Sequence, residues 1–221
     1  ILHDLITKQF SFRNHQEDLH LFSLTIVFTL FFYFFVIPNE SFANVFFAIT
    51  SSISTSGITT YKSNFDLSLF FILLTIVGGS LISTSSGFKY IRIYILLKTS
   101  YQEIYRLVKP IYIFNKNLFN TETNFDENDS KTAFLVFILF IMLFFILSGL
   151  LILDNLSFES AFKLSLLTLT NTVTSSLFGL DNLSFFDFSS ITKISLIIFM
   201  ILGKIEIIAI LFLVSKFIFK E

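Results

Sequence analysis

Residues 50–60 read Thr-Ser-Ser-Ile-Ser-Thr-Ser-Gly-Ile-Thr-Thr, a hydroxyl-rich strip with one glycine between two membrane-length apolar segments. Lipid offers no hydrogen bonds, so irregular backbone at membrane depth persists only against protein or a water-filled path. A cation that sheds its water needs a ring of oxygen dipoles in exchange, and backbone carbonyls with hydroxyls can supply them. Ser54, Thr55, Ser56 and Gly57 are the candidates for that role, because glycine allows the torsions that aim successive carbonyls at one axis. The bland alternative is a polar loop at the membrane surface, since Ser/Thr/Gly runs are ordinary loop chemistry. A second strip, Thr170, Asn171, Thr172, Val173, Thr174, Ser175 and Ser176, is rich in oxygen but has no glycine. Its side chains could equally bond back to a helix backbone.

Two further groups carry chemistry. Gly78 and Gly79, followed by Ser83, Thr84, Ser85, Ser86 and Gly87, interrupt an apolar span. Each glycine weakens a helix interior by about 0.5–1 kcal/mol, so an unwound, movable section is expected; close helix packing by small residues is the alternative. Lys204 lies in Ile-Leu-Gly-Lys-Ile-Glu-Ile-Ile, inside an apolar run. A mid-membrane lysine costs about 2.5–3.5 kcal/mol, so it is expected to be buried below the membrane centre as an electrostatic barrier to cations. Glu206, two positions on, faces another side of the helix and is no local partner.

The elements that must hold these groups follow from the apolar runs. Leu21 to Ile37 is a first span, ended by Pro38 and the capping candidate Ser41. Phe42 to Ser52 is an apolar helix too short to cross about 30 Å of hydrocarbon. Leu67 to Ile82 is a second span, broken near its end. Lys89 to Lys131 is polar and reads as a loop with a helical start. Ala133 to Leu153 is a third span, Ser157 to Leu169 a second short helix, and Ile191 to Val214 a last span. The order span, short helix, polar strip, span thus occurs twice, and Ser41, Phe42 and Phe46 recur as Ser157, Phe158 and Phe162 at an offset of 116.

This divides the chain into a segment 1–20, a first span–pore loop–span unit 21–97, a connector 98–132, a second such unit 133–214 and a tail 215–221. Residues 1–20 and 88–132 with the tail hold 11 of the 15 basic residues, so by the positive-inside bias both termini and the connector are expected in the cytoplasm. The short helices then enter from the outer face.

Composition agrees with a membrane protein. Of 221 residues, 54% are hydrophobic and only 14% charged, against about 25% charged in soluble domains. A net charge of -1 with no basic stripe argues against nucleic-acid binding. Zero cysteines exclude disulfides, thiolate metal sites and cysteine nucleophiles. His3, His15 and His20 lack ligand spacing, and no nucleophile–base set stands at membrane depth, so neither an enzyme nor a bound cofactor is expected. The chain starts at Ile1 within a polar stretch, and N-terminal incompleteness is expected.

In order and spacing the motifs resemble the C-terminal half of the Trk/Ktr/HKT superfamily of potassium transporters, membrane subunit of Trk type. The resemblance rests on Phe12-Arg13, on Ser54 through Thr60, on Val77-Gly78-Gly79, and on Ser83 through Arg92. It also rests on Leu107-Val108-Lys109-Pro110 and on Leu202-Gly203-Lys204-Ile205-Glu206. It implies an all-α membrane fold of four span–pore helix–span units around a pseudo-fourfold axis, of which this chain supplies two. It implies a filter glycine at Gly57, an intramembrane gate at Gly79–Gly87 and a basic gate residue at Lys204. Potassium is implied as transported substrate, held at Thr55, Ser56, Gly57, Thr172 and Val173. As partners it implies a missing N-terminal half or second chain, a homodimeric mate and a cytosolic nucleotide-binding regulatory subunit, all at a bacterial inner membrane. Three departures stand out. The gating stretch has fewer glycines, Lys204 replaces arginine, and the last filter reads Asn171-Thr172-Val173-Thr174 where Asn-Asn-x-Gly-Pro-Gly is usual. The filter glycine is thereby replaced by Thr174, or by Val173 if the register slips by one.

Overall fold

The computed structural model describes residues 16–38, 40–59, 67–80, 83, 85–109, 125–180 and 183–204. Among them every regular element is helical. Helix α1, Gln16–Phe31, continues as a π-helical stretch Phe32–Val36, and the two together are long and apolar enough to cross a membrane. Ile37 ends the stretch by donating its N–H to the Phe32 carbonyl at 2.8 Å, one residue before Pro38. Helix α2, Phe42–Ile53, starts at Ser41, whose side chain accepts the Asn44 N–H at 3.3 Å.

Helix α3, Ser68–Val77, is only 10 residues long and stops at Gly78, which takes a φ of +65°. The sequence-predicted break in this span is therefore present, five residues before Ser83. Helix α4, Tyr90–Val108, runs unbroken across the expected boundary at 97/98, where the sequence predicts a loop with a helical start. Its charges Arg92, Lys98, Glu103 and Arg106 obscure an apolar side that packs on α5 through Ile95, Phe125 and Ala133.

Helix α5, Glu127–Leu153, is a second membrane-length element, started by Asp126, whose N–H donates to Asp129 Oδ2 at 2.9 Å. Helix α6, Phe158–Leu169, repeats the α2 start: the side chain of Ser157 accepts the Ser160 N–H at 3.3 Å. Two 3-10 turns, Ser176–Phe178 and Phe185–Asp187, lead to α7, Ser190–Lys204. Residues 205–214 of the expected last span lie outside the described residues.

One apolar core joins α1, α2, α3, α5, α6 and α7, with Ile49, Phe71, Leu147, Leu167 and Phe178 fully enclosed. Stacked rings of Phe32 and Phe70, 4.2 Å between centroids, tie α1 to α3, and an edge-to-face pair of Phe144 and Phe162 ties α5 to α6. Large apolar side chains such as Phe34, Phe35, Phe145 and Ile146 remain exposed on α1, its π-helical end and α5, a distribution suited to a hydrocarbon solvent. Hydroxyls inside the helices are satisfied locally: Thr29 donates to the Thr25 carbonyl, Thr75 to that of Ile72 and Thr168 to that of Leu164, each at 2.7 Å.

Candidate functional site

Both short helices end in a hydroxyl-rich return with the same hydrogen bonds. After α2, the N–H groups of Ser54, Thr55 and Ser56 donate to the carbonyls of Thr50, Ser52 and Ser51 at 2.9, 3.0 and 3.0 Å. After α6, Thr170, Asn171 and Thr172 donate to Leu166, Thr168 and Leu167 at 2.9, 3.1 and 2.9 Å. Thr55 and Asn171, which carry side chains, both take positive φ, 57° and 50°. Every one of these pairs is separated by 116 residues. The same offset aligns Gly57 with Val173, so of the two registers open in the sequence the hydrogen bonds select Val173 over Thr174.

The returns also touch each other. Gly57 has a φ of +71°, and a Cβ added there would lie against the Val173 carbonyl and 2.7 Å from Thr172 Cγ2. A side chain is excluded at this point twice over, by torsion and by contact. Thr55 is buried and its hydroxyl accepts the Ser86 N–H at 3.3 Å, which joins the first return to the glycine–serine coil.

Most side-chain hydroxyls here are already engaged with protein. Ser51 donates to the Ile58 carbonyl at 2.5 Å and pairs with the Ser56 hydroxyl at 2.9 Å, while Ser54 donates to the Ser51 carbonyl at 3.3 Å. Thr170 donates to the Leu166 carbonyl at 3.0 Å and pairs with the Thr172 hydroxyl at 2.9 Å. Asn171 Nδ2 donates to the Met200 carbonyl at 2.8 Å and so anchors its return to α7. These contacts fix the backbone and leave carbonyl oxygens as the groups best suited to meet an ion. The C-terminal ends of α2 and α6, which carry the negative end of each helix dipole, point their last turns into the returns. Val173 is 57% exposed. Thr174 lines a cavity of about 210 Å³ beside Thr168 and Met200.

The coil after α3 folds back on itself. Phe88 N–H donates to the Ile76 carbonyl at 3.0 Å, Tyr90 N–H to that of Gly79 at 3.1 Å, and Gly79 N–H to Ser85 Oγ at 2.9 Å. Gly78 and Gly87, the latter at φ +91°, are in contact at the base. Of the gate candidates, Gly78, Gly79, Ser83, Ser85, Ser86 and Gly87 are therefore gathered in this fold, and Thr84 lies outside the described residues. Lys204 lines a cavity of about 30 Å³ together with Ser85, Ser86 and Lys89. The Lys204 side chain is exposed at this cavity. Glu206 lies outside the described residues.

Three residues to which the sequence alone assigns no role of their own matter to this geometry. Lys89 is 8% exposed and turns its ammonium into the coil. Lys163 is buried on α6, 2.6 Å from Glu159. Gly203 brings α7 so close to the end of α6 that a Cβ would lie 2.8 Å from the Leu169 carbonyl carbon. A lysine next to a glycine–serine run was a visible signal for the first; nothing in the chain's local pattern marked the Gly203 contact.

Among the described residues the architecture is all-helical, with two helices long and apolar enough to cross a membrane. No protein-family model matches the chain. It is 27% identical over 206 residues to the Trk system potassium uptake protein TrkH of Escherichia coli K12, and equally to those of E. coli O157:H7 and Shigella flexneri. These alignments cover 90% of this chain and 42% of the relatives, so the chain spans less than half their length. The crystal structure of the potassium transporter TrkH from Vibrio parahaemolyticus superposes with a TM-score of 0.72 over 91% of this chain and 43% of that one, at 24% identity. The chain thus resembles part of TrkH, and shares the fold of that part.

Proposed function

We propose that the chain forms two span–pore helix–span units of a membrane cation transporter, with potassium as the transported ion. The observation that carries this reading is the contact of Gly57 with the Thr172–Val173 return, each return following a short serine-capped helix with the same hydrogen bonds. Backbone carbonyls of Ser54–Gly57 and Thr170–Thr174 would form half of a filter, aided by the negative ends of α2 and α6. The coil from Gly78 to Gly87 is the gate beneath it, and Lys204 at its rim is the cation barrier. The likeness to part of a potassium uptake protein supports the ion assignment.

Two units close only half of a fourfold ring, so the remaining half comes from further sequence of the same gene product or from a second chain. A homodimer, a cytosolic nucleotide-binding regulatory subunit, and a bacterial inner membrane with both termini in the cytoplasm complete the proposal. The test is rubidium uptake by the complete gene product in cells that lack potassium uptake. Rescue of growth at low potassium with rubidium flux is expected, and absence of both defeats the reading.

A second reading, a non-conducting scaffold derived from such a transporter, is favoured by Val173 where the aligned position of the first return is Gly57. Replacing it distinguishes the two. In a conducting protein Val173→Gly raises the ratio of rubidium to sodium flux while Thr174→Gly leaves it near wild type; a scaffold carries no flux in any of the three.

A further inference from the structure

The coil between α3 and α4 has its own internal cation. Lys89 Nζ donates to the carbonyl of Ser85 at 2.6 Å and to that of Ser83 at 2.7 Å, with the Ser80 carbonyl at 3.5 Å. The side chain is almost wholly enclosed, and its backbone takes a φ of +73°, a left-handed torsion that a residue with a Cβ rarely adopts. Such a torsion persists where surrounding contacts hold it. Here the contacts are carbonyl oxygens converging on a positive charge, which is the arrangement a dehydrated permeant cation would also seek.

The tethered charge sits at the coil's structural centre. Its carbonyl partners include that of Ser85, whose hydroxyl accepts the Gly79 N–H, and the next residue, Ser86, donates its N–H to Thr55 of the first return. Charge-assisted hydrogen bonds are about twice as strong as neutral ones, so these are the strongest side-chain links within the described part of the coil. Without them the carbonyls of Ser83 and Ser85 would need new partners, and the fold-back would rest on its neutral bonds alone.

We propose that Lys89 is the positioning residue of the gate: its ammonium stands in for a permeant cation among the coil carbonyls and holds the coil folded against the Thr55 return. This rests on the reading of the coil as a gate. Release of the ammonium frees the Ser86–Thr55 contact and opens the path. Lys204 at the cavity rim would then act on a coil already held from within.

The experiment uses the complete gene product with any cysteines outside this chain replaced by serine; the chain itself has none. Ser86→Cys places one thiol at a position that is 6% exposed. Its modification by a small water-soluble thiosulfonate and basal rubidium flux are read together. Lys89→Met should accelerate modification about tenfold or more and raise basal flux, while Lys89→Arg, which keeps charged donors, restores both toward wild type. Equal modification rates with and without the Lys89→Met substitution overturn the tether, and faster modification with unchanged flux overturns its role in gating. If Lys89→Met fails to reach the membrane, Lys89→Gln removes the charge but keeps a donor and is read by the same two measurements. Absence of rubidium flux in the wild type would defeat the transporter reading, while the modification rates still decide whether Lys89 holds the coil.

Discussion

Gly57 is the residue under the most constraint in the candidate site. Alanine there must adopt a left-handed torsion at about 1–2 kcal/mol and must also displace Val173 and Thr172 across the contact. Either the first return moves off its hydrogen bonds to Ser51 or the second moves off Leu167. Gly57→Ala is expected to lower rubidium flux by about tenfold or more, the scale of the strain it introduces. Its melting temperature in detergent should fall only modestly, because the contact is confined to the two returns. Thr55 and Asn171 tolerate similar torsions where their side chains find partners, Thr55 as acceptor for Ser86 and Asn171 as donor to Met200. The contrast explains why the glycine cannot be exchanged for either: its neighbours leave no room for a Cβ.

At the scale of elements, α7 is fixed at both ends. Its start is held by Asp154, just past the end of α5, whose Oδ2 accepts the Ser189 N–H at 3.1 Å. That backbone bond, with the hydroxyls of Thr192 and Ser189 and the Lys193 charge, pulls the Asp154 carboxyl below its ordinary 3.8 despite some opposing desolvation. A carboxyl depressed in the folded state contributes stability that is fully present above its unfolded pKa and lost as pH falls through the folded one. The wild type should therefore melt above Asp154→Asn at neutral pH, and the two should converge as pH falls through the lowered pKa of the folded state, below the ordinary 3.8. Thermal melts across pH 2–7 measure this, and a constant gap would count against it. Near the other end, Gly203 lies on the Leu169 backbone. Gly203→Ala forces the helices apart and is expected to cost about 1–3 kcal/mol, the range of overpacking, read as a lower melting temperature.

For the whole molecule, the two halves meet through α4 on α5, through the two returns, and where α3 lies against α6 and the Ser176–Phe178 turn. Lys163 is at that junction: 3% exposed, ion-paired to Glu159, and with its ammonium beside Gly179, which Ser68 also approaches. Glu159 is largely exposed, so the members of the pair are not equivalent. Loss of the lysine leaves a carboxylate that solvent can reach, whereas loss of the glutamate takes an ion-pair partner from an enclosed ammonium. Glu159→Gln should therefore destabilise more than Lys163→Met, and the double variant should recover most of the difference. The reverse order in detergent melts would remove Lys163 from its role in joining the halves.

The features legible along the chain are those that short-range physics controls. Apolar runs located α1 and α5, although both helices start earlier, in polar residues at Gln16 and Glu127; Ser41 and Ser157 began the short helices and Gly78 ended α3, because each depends on the residue and its immediate neighbours. The likeness to part of a Trk-type protein was legible for the same reason, as ordered motifs along one chain. The extent of α4 was not, since its charged side masks a face that gains its meaning only against α5. Tertiary structure alone decided the pairing of Gly57 with Val173, the inward turn of the Lys89 ammonium, the exposure of Lys204 and the approach of Gly203 to Leu169. In the helix contacts the residues stand more than thirty positions apart, and hydrophobic periodicity encodes a face but not the partner it meets. The Lys89 ammonium depends on how the coil closes around it, which glycine torsions permit but do not specify.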